Sequence, residues 1–341
     1  MNVDEIKEKL RASEYDFLRR DVNLGDNIIL LGLGGSYAYG TNTDLSDVDL
    51  RGIATNTKRN ILTRRDFEQV VDVETDTTIY SFEKIIKLLC ECNPNTIEIL
   101  GLKPEHYLYL SPVGAELLDN KRLFLSKRAI HSFGGYANAQ LRRLENKSAG
   151  AAKQSRFEEN VLKSIEHARV DFKNKYFAMP EDSIKLYIDK ATQTGCDTEI
   201  FMDVTLKHYP LRDYVGMWSE MNNITKTYSK FSVQNKTAMQ RNKLSKHMMH
   251  LVRLYLMCFD ILEHGEINTY REKDHDFLMG VRNGKYLDEN QQPTREFYEI
   301  VSELENKLNC LAQHTDLPEK VDREKIDDFV MSVNEKIVNK L

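Results

Sequence analysis

Residues 27–53 constrain this chain more than any other stretch: Asn-Ile-Ile-Leu-Leu-Gly-Leu-Gly-Gly-Ser-Tyr-Ala-Tyr-Gly-Thr-Asn-Thr-Asp-Leu-Ser-Asp-Val-Asp-Leu-Arg-Gly-Ile. Ile28 to Leu33 carry no charge and no helical stripe, the pattern of a strand buried on both faces. The run stops at Gly34-Gly35-Ser36, where missing side chains let a phosphate approach the backbone N–H groups. Ser36 adds a hydroxyl donor where a helix would begin, and helix N-termini attract anions. Gly40-Thr41 closes that element. Ser46-Asp47-Val48-Asp49-Leu50 then predicts the opening of a second strand, on which residues i and i+2 share a face. Asp47 and Asp49 therefore project together, with Ser46 and Arg51 as polar neighbours. Two carboxylates so placed repel each other unless a cation sits between them, and oxygen-only ligands suit Mg²⁺.

A Gly-Ser turn by itself is what many surface turns contain; joined to Asp-x-Asp it is far more specific. The combination resembles the nucleotidyltransferase signature of the DNA polymerase β superfamily: a Gly-Ser turn, Gly-Thr, then Ser-Asp-x-Asp. The resemblance implies that Gly35 and Ser36 hold a nucleoside triphosphate and that Asp47 and Asp49 hold a divalent metal, Mg²⁺ or Mn²⁺. Residues 68–80 read as one or two strands; on a single strand Asp72, Glu74 and Asp76 would share a face opposite Val71 and Val73. Sites of this superfamily take a third carboxylate from a strand beside the Asp-x-Asp strand, where it acts with metal on the attacking hydroxyl. Asp76 matches that pattern best, because Thr-Ile-Tyr and an amphipathic helix follow it; Glu74 is the alternative.

That helix covers residues 81–92, with Phe82, Ile85, Ile86, Leu88 and Leu89 apolar, and Asn93-Pro94-Asn95 ends it. The string Asn-Pro-Asn-x-x-Glu-x-Leu, running to Leu100, resembles one branch of the superfamily, the RNA-repair-associated nucleotidyltransferases found beside RNA ligases. On the residues alone, Asn95 and Glu98 read as structural, a helix cap and a buried hydrogen bond.

At 341 residues the chain has room for two domains. A net charge of −5 argues against a dominant, non-specific nucleic-acid footprint but leaves room for local basic patches. Lys58-Arg59 and Arg64-Arg65 are such clusters: either a solvated loop or a contact for an anionic substrate. Arg142-Arg143 is another. The five cysteines lack metal-ligand spacing. With a charged N-terminus that has no apolar h-region, they predict reduced thiols in a cytoplasmic protein. No apolar run approaches transmembrane length.

Residues 3–20 predict a lead-in helix with Ile6, Leu10 and Phe17 buried. From about residue 112 the pattern turns helical. Residues 122–146 carry Leu123, Ala129, Phe133, Ala137 and Leu141 at helical spacing, with Gly134-Gly135 inside. Residues 147–154 read as a mobile connector, 155–177 and 180–193 as helix, Thr198–Val204 as a short strand or extended segment, and 219–242 as a polar loop. Lys243 to His264 form a helix apolar nearly all round, with Lys243, Lys246, His250 and Arg253 on one narrow stripe and Gly265 as its C-cap. Buried cations need an anionic partner, which internal carboxylates or a nucleotide phosphate would supply. Relatives in the RNA-repair branch carry a similar Lys/His/Arg pattern on a helix of the second domain, so the resemblance implies that Lys246, His250 and Arg253 meet phosphate. Thr294 and Asp322 would cap two further helices.

The expected fold is α+β: a polymerase-β-type catalytic domain over residues 1–111 with a small mixed sheet, then a mainly helical domain over 112–341 as the other wall of the cleft. The expected chemistry is transfer of a nucleoside monophosphate from an NTP to an acceptor hydroxyl, releasing pyrophosphate. The resemblance points to an RNA or tRNA end as acceptor and to an operon-encoded RNA ligase as partner. Two other classes stay open. One is nucleotidylation of a protein or small molecule, as toxin-inactivating and antibiotic-modifying relatives do. The other is a nucleotide-binding module without catalysis, against which the intact Ser36, Asp47 and Asp49 speak.

Overall fold

A computed structural model describes residues 1–44, 46–65, 67–149, 161–166, 183–190, 192, 198–231, 239–289 and 292–339. The chain divides into two compact units. The first comprises Met1–Ala137, Val252–Gly280 and Glu299–Leu341; the second comprises Asn138–Leu251 and Val281–Tyr298.

The first unit opens with two short helices, α1 (Val3–Lys9) and α2 (Phe17–Arg20), where the sequence predicts a single lead-in helix. Its centre is β1 (Ile28–Leu33), in which all six residues are buried. Each Leu or Ile buried there stabilises the fold by about 1.5–3 kcal/mol, which is why an uncharged run becomes the central strand. After β1 come α3 (Gly35–Tyr39), β2 (Leu50–Ala54), α4 (Lys58–Thr63), β3 (Gln69–Asp72) and β4 (Thr77–Ser81). Then follow α5 (Phe82–Cys90), α6 (Pro94–Ile97), β5 (Tyr107–Leu110), α7 (Pro112–Asp119) and α8 (Arg128–Ala149). The sheet order is β3-β4-β2-β1-β5. β1 is antiparallel to both β2 and β5, and β3 to β4. β2 and β4 run parallel, with Leu50 opposite Thr77. This is the mixed sheet expected.

Several elements differ from the sequence reading. Ser46 to Asp49 precede β2 and are not part of it. Residues 69–81 are two strands joined by a turn, so Asp72, Glu74 and Asp76 do not line one strand face. The polar stretch after β2 is helical as α4, because Thr57 caps it by accepting from the Asn60 N–H. Gly134-Gly135 does not interrupt α8, whose Ala129, Phe133 and Ala137 are fully buried.

In the second unit, β6 (Ile184–Lys190) and β7 (Thr198–Val204) form an antiparallel pair. The extended reading of Thr198–Val204 holds. The helical reading of 180–193 does not, since Ile184, Leu186 and Ile188 alternate with exposed residues at the period of a strand. Residues 219–231 are also helical, within α9 (Leu211–Phe231), where Met217 and Met221 pack with Val161, Ile165 and Ile184. Of the expected connector at 147–154, residues 147–149 are instead helical, continuing α8, while 150–154, most of 155–177 and residues 232–238 lie outside the described residues; 161–166 are helical.

Helix α10 (Met239–His264) crosses the unit boundary at Leu251, and Gly265 ends it with φ +62°. It is followed by α11 (His275–Arg282), α12 (Arg295–His314) and α13 (Arg323–Asn339). Thr294 and Asp322 accept the cap hydrogen bonds at the last two, from Phe297 N–H at 3.4 Å and Lys325 N–H at 3.3 Å. Phe329 on α13 packs its ring 6.0 Å from Phe82 on α5. Among the described residues, no helix is long and apolar enough to cross a membrane.

Candidate active site

The end of β1 and the approach to β2 are bound together before either side chain is considered. Gly34 N–H donates to the Asp49 carbonyl at 2.8 Å. Gly35 then takes φ +54°, and a Cβ there would overlap the carboxylate oxygen Oδ2 of Asp49. The Asp49 carboxylate is thus seated directly on the glycine turn, while Asp47 is exposed to solvent. Ser36, 7% exposed, lies in the first turn of α3, where N–H groups have no helical acceptor. The turn therefore sets backbone donors without a helical acceptor beside a carboxylate. Gly35→Ala should strain the backbone by about 1–2 kcal/mol and displace Asp49. The expected result, read by calorimetric titration, is a nucleotide Kd raised by about tenfold or more; an unchanged Kd would separate Gly35 from the site.

The third carboxylate candidate sits at the same end of the adjacent strand. Asp76 precedes Thr77 as Asp49 precedes Leu50, and Leu50 and Thr77 are paired. Its backbone is left-handed, φ +44°, which Asp tolerates better than most residues. Arg51 holds this turn: its Nη1 donates to the Asp76 carbonyl at 2.7 Å and its Nη2 to Asp76 Oδ1 at 3.3 Å. The Asp76 side chain is 61% exposed. Glu74 is exposed in the same turn. Among the described residues, no three Asp, Glu, His or Cys side chains stand together as a metal cluster. The Asp49 carboxylate lies beside bare glycine backbone, an oxygen donor of the kind that suits a hard divalent cation. Ser46 to Asp49, by contrast, are not in the strand expected to turn Asp47 and Asp49 to one face.

The basic stripe of α10 divides between the units. Lys246, exposed, and His250, half-buried, belong to the second. Arg253 belongs to the first and is 1% exposed. Its Nη1 donates to Glu98 Oε2 at 3.3 Å, and its guanidinium lies 3.5 Å over the Tyr39 ring. Tyr39 OH in turn contacts both Glu98 oxygens, at 3.0 and 2.9 Å. Burial is the largest influence on Glu98 and pushes its carboxyl upward, against the pull of Arg253 and the Tyr39 hydroxyl. Burial likewise raises the Tyr39 phenol. An internal carboxylate is thus the anionic partner seen for Arg253.

Residues that sequence reasoning left without a role complete this region. Thr269 Oγ1 donates to the Glu98 carbonyl at 2.6 Å, and Arg271 N–H to the Tyr39 carbonyl at 3.3 Å. The Arg271 guanidinium is ion-paired with Asp260 and Asp274. The signal for Arg51 was present, since it lies two residues beyond Asp49 in an alternating run. No local pattern announces Glu98–Arg253 or Tyr39–Arg271.

A mixed sheet whose central strand ends in a glycine turn against a carboxylate is the arrangement of a polymerase-β-type module. The profile of the RNA repair pathway DNA polymerase beta family matches residues 3–169. Over this portion the chain resembles that family, a polymerase-β-like group of nucleotidyltransferases. Over 329 residues the chain is also 23% identical to an uncharacterized 38.9 kDa protein from the nrdC-mobD intergenic region of Enterobacteria phage T4. That alignment covers 88% of this chain and 94% of the phage protein. No solved structure matches significantly.

Proposed function

We propose that this protein transfers a nucleoside monophosphate from an NTP to a hydroxyl at an RNA end, releasing pyrophosphate. The observation that carries the proposal is the Asp49 carboxylate seated on the Gly35-Ser36 turn, inside the portion matched by the family. In this reading the first-turn N–H groups of α3 and the Ser36 hydroxyl bind the terminal phosphates. Asp47 and Asp49 would hold Mg²⁺ or Mn²⁺, with Asp76 as a third donor once it leaves Arg51. The Asp76 side of its pair with Arg51 is 61% exposed, where ion pairs are weak, so exchanging that partner costs little. A divalent cation bound there would offset triphosphate charge and favour the ionised form of the acceptor hydroxyl. Asp76 orients that hydroxyl for in-line attack on the α-phosphorus, and the Gly35-Ser36 turn keeps the departing pyrophosphate in place. Lys246 and His250 are proposed to bind nucleotide phosphate.

The acceptor reading draws on the RNA-repair family and on the cations around α4. Lys58, Arg59, Arg64 and Arg65 are all exposed, the last two at the α4 C-terminus. With a net charge of −5, RNA binding must be local. Two or three phosphate contacts imply a log Kd versus log salt slope of magnitude near 2, at roughly 0.7 per contact on a single strand. Arg64→Asn with Arg65→Ala, where Asn tolerates the left-handed backbone of Arg64, should reduce that magnitude by about 0.7–1.4 and leave NTP binding unchanged. Filter binding with a short RNA across a salt series measures both. An absence of saturable RNA binding at low salt, with a protein labelled by NTP instead, would replace the RNA acceptor with a protein one.

A further inference from the structure

The site turn is carried by a helix too short to hold itself. α3 has five residues. Isolated helices shorter than about 12–15 residues are marginal in water, so tertiary contacts must set the geometry of this one. Its N-terminal end meets the phosphates in the reading above; its C-terminal end is where the anchors lie.

Two anchors converge there. The first is the Glu98–Arg253 pair. Arg253 is 1% exposed and Glu98 7%. Both close on Tyr39, the last residue of α3: Glu98 through the phenol oxygen, at 3.0 and 2.9 Å, and Arg253 over the ring face, at 3.5 Å. The second is the segment after α10. Arg271 N–H donates to the Tyr39 carbonyl at 3.3 Å, and the Tyr270 ring fills the space a Cβ would need at Gly40. Lys103 Nζ lies 3.6 Å over the Tyr270 ring. Thr269 ties the same segment to the Glu98 carbonyl at 2.6 Å, so the two anchors are joined to each other. At ~1.5 Å rise per residue, Tyr39 stands about one turn from Ser36. Thr41 N–H bonds back to the Ser36 carbonyl at 2.9 Å. A displacement of Tyr39 is therefore transmitted to Ser36 with no flexible joint between them.

Resting on the nucleotide-binding role proposed for Gly35 and Ser36, we infer that Glu98, Arg253 and Tyr39 are positioning residues that fix α3 and so hold the phosphate-binding turn in register. Arg253 acts through Tyr39 and does not touch nucleotide. A buried pair costs desolvation that apolar packing would avoid, and the planar guanidinium fork suits stacking on a ring while bonding a carboxylate. Such a pair specifies one orientation of the helix where apolar packing would admit several.

The test uses the full chain with Tyr39→Phe, Arg253→Lys and the double variant. Tyr39→Phe keeps the ring and the ion pair and removes only the hydroxyl; Arg253→Lys keeps the charge and removes the stacking plane. Hydrogen exchange at the Ala38, Gly40 and Thr41 amides should accelerate by about tenfold or more in each single variant, while the β1 and β2 amides stay unchanged. The Kd of whichever of ATP, GTP, CTP or UTP binds with Mg²⁺ should rise by about tenfold in each single variant. The double variant should be no weaker than the worse single one, since both act through one contact. Unchanged exchange in α3 overturns the inference, as do Kd effects that multiply in the double variant, which would mean that Arg253 meets nucleotide independently. A wild-type chain that binds none of the four nucleotides instead defeats the site assignment, and the exchange result still decides whether α3 is braced.

Discussion

Asp49→Asn is expected to lower the rate of nucleotidyl transfer by at least about a thousandfold while leaving the melting temperature within a few degrees of wild type. The substitution is isosteric, and Asp49 occupies the place where the glycine turn and the carboxylates meet. A thousandfold corresponds to about 4 kcal/mol of transition-state stabilisation, the scale a metal-ion contribution supplies. Asp47→Asn should behave alike. Each substitution keeps the size and shape of the side chain, so neither should greatly destabilise the fold. Steady-state pyrophosphate release in Mg²⁺, with thermal melts alongside, checks both halves. Near wild-type turnover in either variant would remove that residue from the metal site.

Arg253→Met is expected to have the largest effect on stability. It leaves Glu98, 7% exposed, without its cation. Breaking a buried pair by removing one partner costs about 3–5 kcal/mol, or roughly 10 °C in melting temperature for a unit of this size. Adding Glu98→Gln should restore part of the loss, because no buried charge then remains. The pH dependence has a definite sign. Burial already raises the Glu98 carboxyl above its unfolded value of 4.5, and losing Arg253 raises it further. A group raised on folding contributes stability that is present below its unfolded pKa and lost as pH rises through the folded one. The Arg253→Met deficit should therefore be smaller at pH 5 than at pH 8. Melts at the two values decide it, and a deficit that grows toward acid would contradict the assignment of Glu98 as the exposed liability.

The parts of this protein legible from its sequence are those where local chemistry and tertiary role coincide. Ile28–Leu33 had no alternative to a central strand, Gly35 and Gly40 mark left-handed conformations that few other residues would adopt there, and Thr294 marks a helix cap. The strand Ile184–Lys190 was missed because a seven-residue alternation was read with the helices around it. Leu211–Phe231 is polar enough to read as loop over much of its length; packing of Met217 and Met221 makes it a helix. Gly35 and Asp49 lie within one short segment, so the sequence alone sets them close to each other. Glu98 and Arg253 are 155 residues apart, and a single sequence contains nothing that pairs them. The stripe on α10 showed that Arg253 needed an anion; the fold supplies Glu98 as that anion. Asp76 is a candidate only through the family pattern, and the turn that carries it is fixed by Arg51, which the sequence marks only as a polar neighbour.

The central claim is that the Gly35-Ser36 turn and the Asp47/Asp49 pair transfer a nucleoside monophosphate. The most direct test incubates the full chain and Mg²⁺ with total RNA and each of the four NTPs, labelled in parallel reactions at the α- or the γ-phosphate. The account predicts that one or more NTPs pass α-label to RNA, that γ-label appears only in pyrophosphate, and that EDTA or Asp49→Asn stops both. Label reaching an acceptor from the γ-phosphate, or α-label reaching neither RNA nor any other acceptor with all four NTPs, would contradict it.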